Sequence, residues 1–244
     1  MIVGCVVPCY REQIDRVQRT TASILAVEGI DRVVIVDDGG NDPALLALAS
    51  TDPRIAVVAL ATNEGPSAAM NAGVAVLPPD AIVCRLDVGD EFYPAIKARQ
   101  IARARTSRRP SFSAHFDPVE HRVFRPPHDW ARRIYHDGTF CICTMVLTRH
   151  DFDAVGGFDE SLRYGDDWDF TMKIQHHVGW EQFDEATCSA GVFDGGHTKT
   201  AAIDPEKRAR RAADNRIIIK RGHRMSHGGA DADALRARAR SRRP

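Results

Sequence analysis

The chain has 244 residues, 43% hydrophobic and 27% charged, which suits one soluble α/β domain with a core of useful size and leaves little room for two. No window approaches a membrane span, and Met1-Ile2-Val3-Gly4-Cys5-Val6-Val7 runs into a strand without a basic leader, so a cytoplasmic chain is expected. Formal charge is zero but uneven: residues 205–244 hold thirteen Lys and Arg against four Asp and Glu, so residues 1–204 carry an excess of nine negative charges, the wrong sign for a nucleic-acid groove.

Taken in order, Ile2 to Pro8 is an apolar strand, and Arg11 to Val27 places Ile14, Val17, Ile24 and Leu25 at near-helical spacing. Val33 to Val36 predicts a second buried strand, ending at Asp37-Asp38-Gly39-Gly40-Asn41-Asp42. Pro43 then opens a helix through Ala49, where its missing N–H does no harm. Ile55 to Leu60 is a third strand, followed by Asn63-Glu64-Gly65-Pro66 and a helix of small residues, Ser67 to Val76. Ala81 to Cys84 is a fourth, delivering Arg85-Leu86-Asp87-Val88-Gly89-Asp90, and Pro94 starts a helix through Arg105. This alternation implies a mostly parallel central sheet flanked by helices, wound with right-handed crossovers.

Beyond it, Ser111 to Phe116 and Val119 to Phe124 alternate as a hairpin, and Cys141 to Leu147 reads as a strand with Cys141 and Cys143 packed in the core. After Gly165, the residues Trp168, Phe170, Met172 and Ile174 are spaced as on a half-buried helix, with Asp166 and Asp167 in its first turn. Residues 205–244 form a basic helical tail. It suits a solvated helix with a frayed end, or one that meets an anionic membrane surface, nucleic acid or the acidic body of a partner subunit.

The chemistry gathers at two acid clusters. Carboxylates where an apolar strand meets a loop repel each other and lose hydration, so Asp87 and Asp90 call for something positive, most simply a divalent cation; a solvated turn accounts for the same residues. Strand carboxyl ends are where ligands sit in an open α/β sheet. There is no G-x-G-x-x-G after the first strand and no G-x-x-x-x-G-K-[ST], whereas Pro8-Cys9-Tyr10 and Asp37-Asp38 suit a nucleoside: a carboxylate accepts from a ring N–H and a tyrosine lines a base. At the second cluster the helix dipole favours ionised Asp166 and Asp167, as a general base at neutral pH requires; a plain capping pair is the alternative.

Val6-Val7-Pro8-Cys9-Tyr10, Val36-Asp37-Asp38-Gly39-Gly40-Asn41-Asp42, Asn63-x-Gly65-Pro66-Ser67-x-x-x-Asn71-x-Gly73, Arg85-Leu86-Asp87-x-x-Asp90, Gly156-Gly157-Phe158-Asp159-Glu160 and Tyr164-Gly165-Asp166-Asp167-Trp168-Asp169 stand in the order of the signatures of family 2 glycosyltransferases, which the chain resembles over roughly residues 2 to 175. The resemblance implies a GT-A (Rossmann-like) domain at 1–204, with a nucleotide-sugar-binding half at 1–105 and an acceptor-binding half at 106–204, ahead of the tail at 205–244. It also implies a nucleotide-sugar donor, a divalent metal (Mn²⁺ or Mg²⁺) on the diphosphate, and inverting transfer of one sugar to a saccharide, lipid-linked or protein acceptor, with UDP as the expected nucleotide.

By the same likeness, Pro8, Tyr10 and Asp38 border the nucleoside, Asn63, Arg85 and Asp87 join the donor site, and Asp90, Asp87 and a later His197 hold the metal. Asp167 is the matching base, beside Asp166 in place of the usual Glu. Two departures stand out: the middle acid of D-x-D-D is Gly89, so Asp90 or Asp87 must take over, and the Arg usual before Asn71 is Met70. These motivate an alternative, a non-catalytic nucleotide-sugar-binding or scaffolding module, against which the intact Asp167 argues.

Overall fold

A computed structural model describes residues 1–136, 138, 140–190 and 204–226. Strands β1 (Val3–Cys9), β2 (Arg32–Asp37), β3 (Ile55–Ala59) and β4 (Ile82–Arg85) pair in parallel in the order β3-β2-β1-β4. The crossovers are α1 (Ile14–Leu25), α2 (Pro43–Leu48) and α3 (Pro66–Ala75). Helices on both faces bury β1, β2 and β4 almost completely, which is why these strands read as unbroken apolar runs rather than alternating ones. Asp42 caps α2, its Oδ1 accepting from the Ala44 N–H at 2.8 Å, with Pro43 at the first helical position.

The sheet then turns antiparallel. β4 pairs with a short strand at Val146–Thr148, and the order continues through Ser111–Asp117 and Glu181–Ser189 to Glu91–Phe92. In chain order these are β5 (Glu91–Phe92), β6 (Ser111–Asp117), β7 (Arg122–Phe124), β8 (Val146–Thr148) and β9 (Glu181–Ser189); β6 and β7 form the expected hairpin. Parallel pairing still accounts for most of the ladder. The remaining helices are α4 (Pro94–Ser107), α5 (Trp130–Arg133), α6 (Arg149–Ala154), α7 (Asp166–His177) and α8 (Pro205–Ser226).

The strand expected over Cys141 to Leu147 is not formed as such: Ile142–Thr144 is a 3₁₀ turn, and only Val146–Thr148 is strand. The cause lies on α4. Its buried Gln100 Nε2 donates to the Thr144 carbonyl at 3.0 Å, and Lys97 Nζ donates to the carbonyls of Thr144 and Met145 at 3.3 and 3.4 Å, so side chains satisfy acceptors that a ladder would otherwise take.

Residues 205–226 form a helix exposed over most of its length but docked along one face, while the end expected to fray lies outside the described residues. Ile218 of α8 is fully buried and clusters with Leu162, Met172 and Met225, and Gly222 lies so close to the Tyr135 carbonyl that any side chain there would collide with it. No described helix is long and apolar enough to cross a membrane.

Candidate active site

The end of β4 and the first turn of α3 meet the N-terminus of α7, through Arg85 and through Ser67. At the end of β2 the two acids do different work. Asp37 Oδ1 accepts from the Gly40 N–H at 2.7 Å and Oδ2 from the Asp42 N–H at 3.1 Å, closing the turn. Asp38, also buried, accepts from the backbone N–H of Glu64 at 2.7 Å and of Gly65 at 2.9 Å and from Asn63 Nδ2 at 3.0 Å. Backbone donors thus offset the repulsion of the acid pair, and Asp38 shapes the loop after β3. Pro8 is the second-last residue of β1, opposite Val36 in the ladder; Tyr10 is exposed, with the Arg11 guanidinium 5.2 Å from its ring centre.

At the end of β4, Arg85 Nε and Nη2 grip Asp87 Oδ1 and Oδ2 at 2.7 and 3.2 Å. The arginine is 6% exposed, lies 5.5 Å from the Phe158 ring centre, and buries its Nη1 without a hydrogen-bond partner. Burial alone would lower its pKa; Asp87 outweighs this and the net shift is upward, so the guanidinium stays charged. The positive charge expected beside Asp87 is therefore present in the chain two residues earlier. Asp87 itself keeps 41% of its side chain exposed toward the cleft.

Gly89 has φ 99°, and a side chain built on it would run into the Arg16 guanidinium. Its N–H donates to Thr20 Oγ1 at 3.0 Å, and that hydroxyl donates to the Asp90 carbonyl at 2.9 Å, pinning the turn against α1. The Asp90 carboxylate is 7% exposed and its Oδ2 accepts from Cys143 Sγ at 3.2 Å. His197 lies outside the described residues. Among the described residues no three His, Cys, Asp or Glu side chains gather as a metal site, Gly89 supplies no oxygen, and a guanidinium faces that position, so the described donor set does not fit a divalent cation. Met70, where the resemblance has an arginine, is fully buried in the core.

The second cluster meets the first. Ser67 Oγ, in the first turn of α3, donates to Asp166 Oδ2 at 3.1 Å, and Asp167 Oδ1 accepts from the Trp168 N–H at 2.8 Å. The helix dipole was expected to favour the ionised form of both acids; desolvation acts the other way on each. Asp167 is pushed up to about 6, first by burial and then by the Asp166 carboxylate, against the pull of the Trp168 N–H and Arg85. Asp166 is also raised by burial, with Arg85 and Ser67 opposing. The arrangement holds a carboxylate that takes a proton near neutral pH, facing a charged arginine and a half-exposed Asp87.

One contributor, Arg163, carried no signal in the sequence. Arg163 Nη1 donates to the Glu64 carbonyl at 3.0 Å and Nη2 to Asn63 Oδ1 at 3.4 Å, clamping the loop that holds Asp38. Asn71 explains its motif by structure: it exchanges bonds with the Phe158 carbonyl and N–H, both at 3.0 Å, and donates to Glu160 at 2.7 Å, bracing the Gly156 to Glu160 segment against α3.

Comparison with known proteins extends this picture. The model of the family described as "Glycosyl transferase family 2" matches residues 5–157. The chain is similar to the succinoglycan biosynthesis proteins ExoO (41% identical over 105 residues) and ExoU (34% over 93 residues) of Rhizobium meliloti strain 1021; the matches take in 42% and 37% of this chain but 29% and 27% of those proteins. The chain thus matches less than a third of their length. Among solved structures, S. aureus TarS 1-349 in complex with UDP-GlcNAc has a TM-score of 0.69 at 19% identity, over 92% of this chain and 72% of that one. The mannosyltransferase PcManGT from Pyrobaculum calidifontis, in complex with GDP-Man and Mn²⁺, has a TM-score of 0.63 at 16% identity, over 98% and 79%. At these identities the likeness is one of fold.

Proposed function

Since the chain belongs to glycosyl transferase family 2, we propose that it moves one sugar from a nucleotide-sugar donor to an acceptor hydroxyl with inversion at the anomeric carbon, Asp167 serving as general base. The observation that carries this reading is Asp167 in the cleft, its carboxylate raised to about 6 and within electrostatic reach of Arg85 and Asp87. As the acceptor oxygen bonds to the anomeric carbon, Asp167 takes its proton and the bond to the nucleoside diphosphate breaks with the electron pair leaving on phosphate. Arg85 holds Asp87 in place and lowers the cost of a second negative charge at Asp166 and Asp167. The loop at Asn63 to Gly65, with Asp38, Pro8 and Tyr10, borders the nucleoside.

UDP-sugars are the first donors to try, given the fold shared with TarS, and a saccharide or lipid-linked saccharide the first acceptors, given ExoO and ExoU. The test incubates the full chain with UDP-, GDP- and dTDP-sugars, with and without Mn²⁺ or Mg²⁺ and saccharide acceptors, and measures released nucleotide and the anomeric configuration of product. A retained configuration, or no nucleotide release from any donor, rejects the reading. Gly89, with Arg16 against it, favours the second reading, a nucleotide-sugar-binding module; donor binding without turnover under every condition would favour it.

A further inference from the structure

The segment carrying the two acids is held from behind by the C-terminal helix. Asp214 of α8 is 1% exposed, and its Oδ2 accepts from the backbone N–H groups of Arg163 at 3.1 Å and Tyr164 at 3.2 Å. Arg210 Nε, one turn earlier, approaches both carboxylate oxygens at 3.0 and 3.2 Å. A carboxylate this deep is tolerated because charge-assisted bonds replace its lost hydration, and such bonds fix geometry as well as charge. Gly165 follows as the cap of α7, and Ile218 Cδ1 stands 2.7 Å from where its Cβ would be, so α8 packs on the residue just before Asp166. Arg221 adds a second tie, bonding Asp169 at 2.7 Å on α7 and Asp159 at 2.8 Å.

The same short segment reaches the donor side. The Arg163 backbone is held by Asp214, while its side chain clamps Asn63 and Glu64, whose loop wraps Asp38. One residue thus connects α8 to both halves of the cleft.

We propose that Asp214 is a positioning residue: through the backbone of Arg163 and Tyr164 it sets the N-terminus of α7, and through the Arg163 side chain it registers Asp167 against the loop at Asn63 to Gly65. It lies beyond the stretch matched by the family model, so this part of the cleft is supplied by a helix outside that stretch. The catalytic consequence rests on the function proposed above; the mechanical link does not.

The test compares the full chain with Asp214→Asn and Arg163→Gln by amide hydrogen exchange over residues 62–65 and 163–168, calorimetric donor binding, and kcat and KM. Asp214→Asn should speed exchange over 163–168 and lower kcat by about 10- to 100-fold, the scale of an ångström-sized misplacement, with donor affinity less affected. Arg163→Gln should loosen 62–65 and raise the donor KM more than it lowers kcat. Wild-type exchange over 163–168 in Asp214→Asn, or faster exchange with unchanged kcat, overturns the proposal. If Asp214→Asn fails to fold, Arg210→Gln, which removes the charge facing Asp214 together with a bond to the Ser161 carbonyl, should show the same changes at smaller size, and none at all overturns it. A wild-type chain that transfers no sugar rejects the function, while the exchange difference still supports or overturns the link.

Discussion

Ser67 Oγ donates to Asp166 Oδ2 across 3.1 Å, joining the first turns of α3 and α7 over ninety-nine positions of chain. This bond separates the roles of two adjacent acids. Asp166 is committed to α3, whereas Asp167 accepts from the Trp168 N–H beside it.

Asp167→Asn is accordingly expected to lower kcat by ~10²–10⁴-fold, the usual worth of general-base assistance, with donor affinity nearly unchanged. Asp166→Asn should cost less in kcat. Kinetics at saturating donor beside calorimetric donor binding checks both, and near-native turnover in Asp167→Asn removes it as the base.

The pH profile should follow from the upward shift of Asp167. The base works ionised, so kcat should fall as pH drops through about 6. Asp166→Asn removes a like charge and should move that limb down; Arg85→Met removes a cation and should move it up. Stability takes the opposite course. A carboxyl whose folded pKa lies above its unfolded value binds more protons when folded between the two, so this group's contribution destabilises as pH rises from about 4 to about 6, and Asp167→Asn should flatten that part of a melting-temperature profile.

Gly89 is predicted to resist substitution. At φ 99° a side chain is strained and meets Arg16, so Gly89→Ala should cost ~1–3 kcal/mol by denaturant unfolding. Restoring the acid usual in the family at this position, Gly89→Asp, should cost less than Ala, because its carboxylate would meet a guanidinium. Equal losses would show that Arg16 attracts nothing there.

Lys97→Met tests the turn at Ile142–Thr144. Losing the ammonium leaves the Met145 carbonyl without this donor while Gln100 still serves Thr144, and ~1–3 kcal/mol of stability should go with it. An unchanged melting temperature would show that the turn holds without α4.

The alternation of strand and helix was legible in the residues because its signals are local: apolar runs long enough for one strand, prolines at Pro43 and Pro94 that begin helices, and turn residues between them. The same holds for the places of the motifs, and so for Asp38, Asp87 and Asp167 at element ends. Helix limits shifted by a few residues, as with α1 at Ile14–Leu25 against Arg11 to Val27, since end positions depend on packing.

Tertiary structure alone decided which charges meet. The motif spacing does not say that Arg85 neutralises Asp87, that Cys143 occupies Asp90, or that α4 side chains convert part of an apolar run into a turn. Asp167 shows the reason most directly. Its place in a helix's first turn is a property of neighbours in sequence and favours ionisation, but the desolvation that raises its carboxyl comes from distant elements packed around it. The docking of α8 is of the same kind: a basic helix reads as solvated until Asp214 and Ile218 find partners fifty residues away, because the free energy of burial belongs to contacts that the local pattern does not contain.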